Sequence, residues 1–195
     1  MNVETILAWL PTVALAVALA ASAGLRAWLP LLATGALARL DVLLLGESFA
    51  FLESTPALVL FGVATIVEVA GDKIPIVDHV LDVVSTFLRP AAGALLTASV
   101  MWQVNDPLMA AGIGIVLGAP VAAAPHFAKS AARVASTATT GGLANPVLSL
   151  LEDLASALLI ILAVLLPILA LGVVVVVGVL VARWVRRRKR AGVAG

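Results

Sequence analysis

Ile6-Leu-Ala-Trp-Leu-Pro-Thr-Val-Ala-Leu-Ala-Val-Ala-Leu-Ala-Ala-Ser-Ala23 carries no charged side chain. At a rise of 1.5 Å per residue, about 20 such residues in a helix cross the ~30 Å hydrocarbon core of a bilayer. The composition of the whole chain says the same: of 195 residues, 63% are hydrophobic and 12% charged, and the mean hydropathy is +1.17. A soluble domain runs nearer ~25% charged and ~45–50% apolar residues, so the excess apolar surface must face lipid and a water-soluble globular fold is excluded. The run ends in Ala20-Ala-Ser-Ala-Gly24, small residues of the kind found at signal-peptide cleavage sites. Glu4 stands where a signal peptide would carry lysine or arginine, however, and further apolar segments follow, so the run reads as a retained span.

Working outward, residues 25–45 are apolar but interrupted by Arg26, Pro30, Arg39 and Asp41, which predicts an irregular or partly re-entrant helix. Residues 47–55 form a polar connection, and Pro56 then occupies a first-turn position where proline is tolerated. A third span over 57–70 carries Glu68 near its end. Residues 90–102 and 108–124 follow, and 154–182 is long enough to tilt, with a kink at Pro167. The expected fold is an all-α polytopic membrane protein of about 5–7 hydrophobic segments, with one transmembrane domain over residues 1–182 and a basic tail over 183–195. Ser22-Ala-Gly-Leu-Arg26 and Pro125-His-Phe-Ala-Lys129 each place a cation after a small-residue break, and Pro56 and Pro146 each lead a span. This pattern admits an inverted repeat with broken helices, halves 5–72 and 107–182 around a linker helix at 90–102. The alternative is that small apolar helices simply resemble one another.

The net charge of +1 hides a polarised chain. Arg183, Arg186, Arg187, Arg188, Lys189 and Arg190 hold half of the 12 basic residues, leaving the remainder acidic. Basic residues beside a span stay on the cytoplasmic side, so the C-terminus is expected inside the cell, in the inner membrane. Trp9, Trp102 and Trp184 fall where interfacial tryptophans would lie. The cluster Arg186, Arg187, Arg188, Lys189 and Arg190 reads as a topology anchor contacting anionic lipid headgroups, not as a nucleic-acid patch. With no cysteine and two histidines, disulfides, thiolate catalysis, iron–sulfur clusters and histidine-rich metal or haem sites fall away. The sequence names no cofactor.

The polar residues inside this apolar chain are ordered. Counting 100° per residue from Asp78, the side chains of Asp82, Ser85 and Arg89 fall within about 40° of one line. Glu68 and Asp72 are four apart and share a face just before Gly71 and Pro75 interrupt the helix. Lys129, Ser130, Arg133, Thr137 and Thr140 lie within about 60° of the line through His126, with alanines behind. Ser149, Glu152, Asp153 and Ser156 make an acidic edge at the start of the last span. Charges in apolar segments face the bundle interior or water and usually pair, and Arg26, Lys73, Arg89, Lys129 and Arg133 nearly balance Glu68, Asp72, Asp78, Asp82, Glu152 and Asp153. The candidate site is therefore Glu68, Asp72, Lys73, Asp78, Asp82, Arg89, His126, Lys129, Ser130, Arg133, Glu152 and Asp153. Asp72, Asp78 and Asp82 have the oxygens that a hard cation takes, though the spacing matches no strong metal motif. Lys129 and Arg133 suit a phosphate or carboxylate, or else neutralise Glu152 and Asp153.

Glu68-x-x-Gly-Asp72-Lys73-Ile-Pro75-x-x-Asp78 and Phe87-Leu-Arg89-Pro90-Ala-Ala-Gly93 resemble a bacterial family of small multi-pass membrane proteins, the domain of unknown function 4126. Ala128-Lys129-Ser-Ala-Ala-Arg133 and Asn145-Pro146-x-x-Ser149-x-x-Glu152-Asp153 are similar to its second-half pattern. The family more often has alanine at the place of Gly71, and the basic tail lies outside the pattern. The resemblance implies membrane placement and marks positions; it brings no reaction with it.

Three readings follow. A transporter-like or channel-like protein would use the two stripes as a polar site for a small charged substrate, ion or lipid headgroup. An intramembrane enzyme would hold a lipid phosphate on Lys129 and Arg133, with Glu68 or Asp72 as metal ligand or base and His126 or Ser130 as nucleophile. A structural or assembly protein, including a homo-oligomer, would use the charges only as interhelical pairs. The topology is testable on its own. A C-terminal reporter active only outside the cytoplasm should stay silent, and neutralising Arg186, Arg187, Arg188, Lys189 and Arg190 should weaken the orientation while leaving insertion intact.

Overall fold

The computed structural model describes residues 2–72 and 75–191, without the side chains of residues 6, 75–82, 185 and 187–191. Lys73, Asp78, Asp82, Arg187, Arg188, Lys189 and Arg190 thus lie outside the described side chains. The described chain is helical throughout: α1 (Val3–Leu25), α2 (Trp28–Arg39), a 3₁₀ helix (Glu47–Glu53), α3 (Thr55–Gly71), α4 (Pro75–Val100), α5 (Pro107–Ile113), a π-turn (Gly114–Gly118), α6 (Ala119–Thr140), α7 (Asn145–Leu165) and α8 (Pro167–Ala191). Among the described residues, α1, α4, the run Pro107–Thr140, α7 and α8 contain stretches long and apolar enough to cross a membrane. The 3₁₀ helix and α3, which meet at 59°, are together long and apolar enough to make a broken span or a re-entrant loop.

Local chemistry sets several of these ends. Ser54 caps α3, its hydroxyl accepting from Ala57 N–H at 3.4 Å with Pro56 in the first turn. Asp106 caps α5 by accepting from the N–H groups of Leu108 (2.8 Å) and Met109 (3.2 Å) with Pro107 behind it, so orphan helix donors are satisfied. Gly141 closes α6 in the left-handed conformation, φ +63°, and its N–H reaches Thr137 O at 3.0 Å, the common helix-ending device.

Prolines behave in two ways. Pro90 and Pro125 sit inside continuous helices, so the segment expected to begin at residue 90 is the second half of α4, and no break occurs at Pro125. Pro167 does the opposite. The expected kinked span over 154–182 is instead two helices, with α7 ending at Leu165 and Leu166 leaving helical geometry at φ −142°, ψ 65°. A proline clashes with the carbonyl four residues back and disfavours helix at the preceding residue; Leu165 and Leu166 are exposed, so no packing there opposes the break.

The bundle is organised around α1, which touches α4, α6, α7 and α8. From Ala14 to Ala23 its side chains are small and buried almost without exception, so four neighbours approach closely on different sides, as small residues allow in membranes. By contrast α8 is exposed along most of its length and seats itself through Ala170. The crossing of α4 over the π-turn is tighter still. A Cβ added at Gly118 would lie 2.3 Å from Gly93 O and 2.4 Å from Thr97 Oγ1, whereas one at Gly62 would meet nothing within 4 Å. Gly118→Ala should therefore destabilise the protein by about 1–3 kcal/mol through overpacking, while Gly62→Ala should be neutral or stabilising by up to about 1 kcal/mol. Unfolding of the two variants in mixed micelles measures the difference.

Candidate functional site

Between α1 and α2 the chain breaks inside the bundle, with Arg26 extended at φ −136°, ψ 118°. Such a break leaves carbonyls at the end of one helix and N–H groups at the start of the next without intrahelical partners, and in a membrane these must be met by protein. Glu68 from α3 meets the donors: Oε1 accepts from Ala27 N–H at 3.0 Å and Oε2 from Trp28 N–H at 3.3 Å. Arg89 from α4 meets an acceptor, its Nη1 donating to Gly24 O at 3.3 Å. Its Nη2 lies 3.5 Å from Glu68 Oε1. The anion thus sits at a helix N-terminus and the cation at a C-terminus, the polarity favoured by the helix dipoles.

The side chain of Arg26 itself is fully buried and acts as a hub. Its guanidinium pairs with Asp72 through Nη1, lies 2.6 Å from Asp153 Oδ1 through Nε, and is 3.9 Å from Glu152 Oε2. Nη2 also donates to Ser149 O (3.1 Å) and Ser149 Oγ (2.8 Å). From α6, Lys129 Nζ stands 2.7 Å from Glu152 Oε2 and 3.6 Å from Asp72 Oδ2. Arg133 Nη2 stands 3.0 Å from Asp72 Oδ2 and 3.3 Å from Glu152 Oε2. Asp72 is consequently shared by three cations. Beside them, Arg89 Nη1 is 3.2 Å from His126 Nδ1, and His126 Nε2 is 3.2 Å from Thr86 Oγ1. A guanidinium only donates, so Nδ1 accepts and the ring proton on Nε2 is free to go to Thr86.

These contacts bring Glu68, Asp72, Arg89, His126, Lys129, Arg133, Glu152 and Asp153 into one network drawn from α3, α4, α6 and α7 around the α1–α2 break. Among the described residues four cations face four carboxylates in it, and such pairing makes burial of so many charges tolerable. Ser130 is only partly buried and shares none of the network's described contacts; Ser136, one turn beyond Arg133 and buried, occupies the face instead. The basic stripe of α6 meets Asp72 and Glu152. Any meeting with Asp78 and Asp82 lies outside the described residues. His126, one of the two nucleophile candidates, is held by Arg89 and Thr86. Among the described residues no three His, Asp or Glu side chains gather as a metal ion requires, because the carboxylates turn to cations.

Arg26, expected only as a counter-ion, is the residue on which the site turns; its signal is an arginine between two apolar helical segments that lie inside one bundle. Ser149, which recurs with Glu152 and Ser156 at helical spacing, and the buried pair Ser22–Ser156, whose Oγ atoms are 2.8 Å apart, also lie outside the expected site.

Fold and site together define a polytopic, all-α integral membrane protein with an ion-pair network buried around a broken helix. Its chain belongs to the family described as Domain of unknown function (DUF4126), whose model matches residues 13–187. Nothing among curated proteins or solved structures matches it.

The Glu68–Arg89 pair is open to a direct test. Glu68→Gln and Arg89→Gln should each destabilise the fold by roughly 3–5 kcal/mol, because each leaves a buried charge uncompensated. The double variant should fall well short of the sum, giving a coupling energy of about 1 kcal/mol or more in a double-mutant cycle. Strict additivity would contradict the pairing.

Proposed function

We propose that the protein is transporter-like or channel-like and handles a small charged solute at the network around Arg26. The carrying observation is the break between α1 and α2, whose two helix ends are capped inside the bundle by Glu68 and Arg89. Discontinuous helices with their termini turned to an interior polar site are how secondary transporters build substrate and ion sites. Cations and carboxylates pair with one another here, as they would in an occluded form of such a site. An anionic solute would compete with Glu152 and Asp72 for Lys129 and Arg133; a cationic solute would compete for the carboxylates. The proposal carries with it inner-membrane placement, a cytoplasmic C-terminus and anionic-lipid contact at the basic tail. The inverted repeat is not needed for it.

A second reading rests on the density of the ion pairing: the network is interhelical glue and no solute enters it. One variant separates the two. Lys129→Gln with Glu152→Gln removes a cation and an anion together, so the buried charge stays balanced and the fold should survive. Proteoliposomes are then assayed for flux of protons, sodium, potassium, chloride and inorganic phosphate. Under the transport reading the unmodified protein carries at least one of these above protein-free vesicles, and the folded double variant loses that flux at least tenfold. Flux that persists in the double variant, or no flux of any of the five, supports the structural reading.

A further inference from the structure

Glu68 also borders a crevice between α2, α3 and α4, about 250 Å³ in volume. On α3 its wall is Leu60, Val63, Ala64 and Val67, positions i, i+3, i+4 and i+7, so the crevice runs along that helix for about two turns, ~10 Å. Val84 and Leu88, one turn apart on α4, face it, and Trp28 closes it from α2. Trp28 is itself steadied by stacking on Phe61, with ring centroids 6.2 Å apart. Leu60, Val63, Val67 and Val84 are between 44% and 59% exposed, which places the mouth on the apolar outer surface of the bundle.

We infer that this crevice seats a hydrocarbon chain of a bilayer lipid. It is elongated along a helix, apolar on its walls, and continuous with the lipid-facing surface, so a chain enters it sideways without crossing a polar layer. Sites for compact drug-sized ligands occupy ~300–1,000 Å³, more than this crevice provides, whereas a chain segment needs only its length. Water is a poor occupant, because among the described residues the walls are apolar except at Glu68 and Ser85. The inference is independent of what the ion-pair network does, although Glu68 belongs to both.

The test uses the whole protein reconstituted into vesicles of palmitoyl-oleoyl phosphatidylcholine, a zwitterionic lipid to which the basic tail adds no attraction. After extraction into detergent, native mass spectrometry counts the phosphatidylcholine retained per chain. One retained lipid is expected, with occupancy falling at least tenfold in Ala64→Phe, which fills the crevice from α3. Val84→Phe fills it from α4 and decides the matter if Ala64→Phe does not fold. Val59→Phe, on the exposed face of α3 outside the crevice, should retain the lipid. Absence of retained lipid in the unmodified protein overturns the inference. So does lipid retained equally by the crevice-filling variants, which would mean annular lipid only.

Discussion

A guanidinium with no access to water must be surrounded by its own counter-charges, and Arg26 imposes that requirement on four other segments of the chain. It sits at the point where α1 ends and α2 has not begun, so its backbone cannot be hidden in a helix either. Asp72, Glu152 and Asp153 answer the side chain, and Glu68 and Arg89 answer the helix ends. α3, α4 and α7 are thereby fixed relative to the break. α6 is drawn in because Asp72 and Glu152 need more positive charge than Arg26 alone supplies. The stability of a lone buried ion pair is modest after desolvation; the weight of this arrangement lies in its specificity, since few other packings of the same helices leave no charge stranded in hydrocarbon.

Packing makes that convergence reachable. Charged side chains from different helices meet on one carboxylate only when the helices themselves lie close, and the alanine-rich stretch of α1 brings its four neighbours in. The same economy of side-chain volume appears where Gly93 and Gly118 let α4 and the π-turn come into backbone contact. The polar network and the small-residue core are two parts of one solution to burying charge at the centre of a small bundle.

How much of this was legible follows from which interactions are local. Apolar run length is local, so the spans and the all-α class could be read directly. The stripe His126–Lys129–Arg133 could be read too, because helical periodicity puts those residues on one face whatever the tertiary structure. Partner choice is not local: Arg26 and Ser149 are 123 residues apart, and nothing in the sequence says that Asp72 is an anion that α6 meets. The prolines show the same boundary. Pro90, Pro125 and Pro167 make an identical steric demand, yet only what packs around each decides whether the helix absorbs it or stops.

The central position of α1 has a consequence for how the protein is made. Chains enter membranes from the N-terminus, so α1 and Arg26 reach the bilayer before any partner of Arg26 exists. The first carboxylate of the hub comes 46 residues later at Asp72, and Glu152 and Asp153 follow only after four more helical elements. The helix that finally lies at the middle of the bundle arrives before those that pack on it, and the later helices must close around it. Until α7 is inserted, the arginine has no full complement of counter-charge and its natural resting place is the headgroup layer at the end of α1. Assembly of this fold is therefore gated late: the bundle becomes able to draw Arg26 inward only once the chain has been synthesised as far as α7.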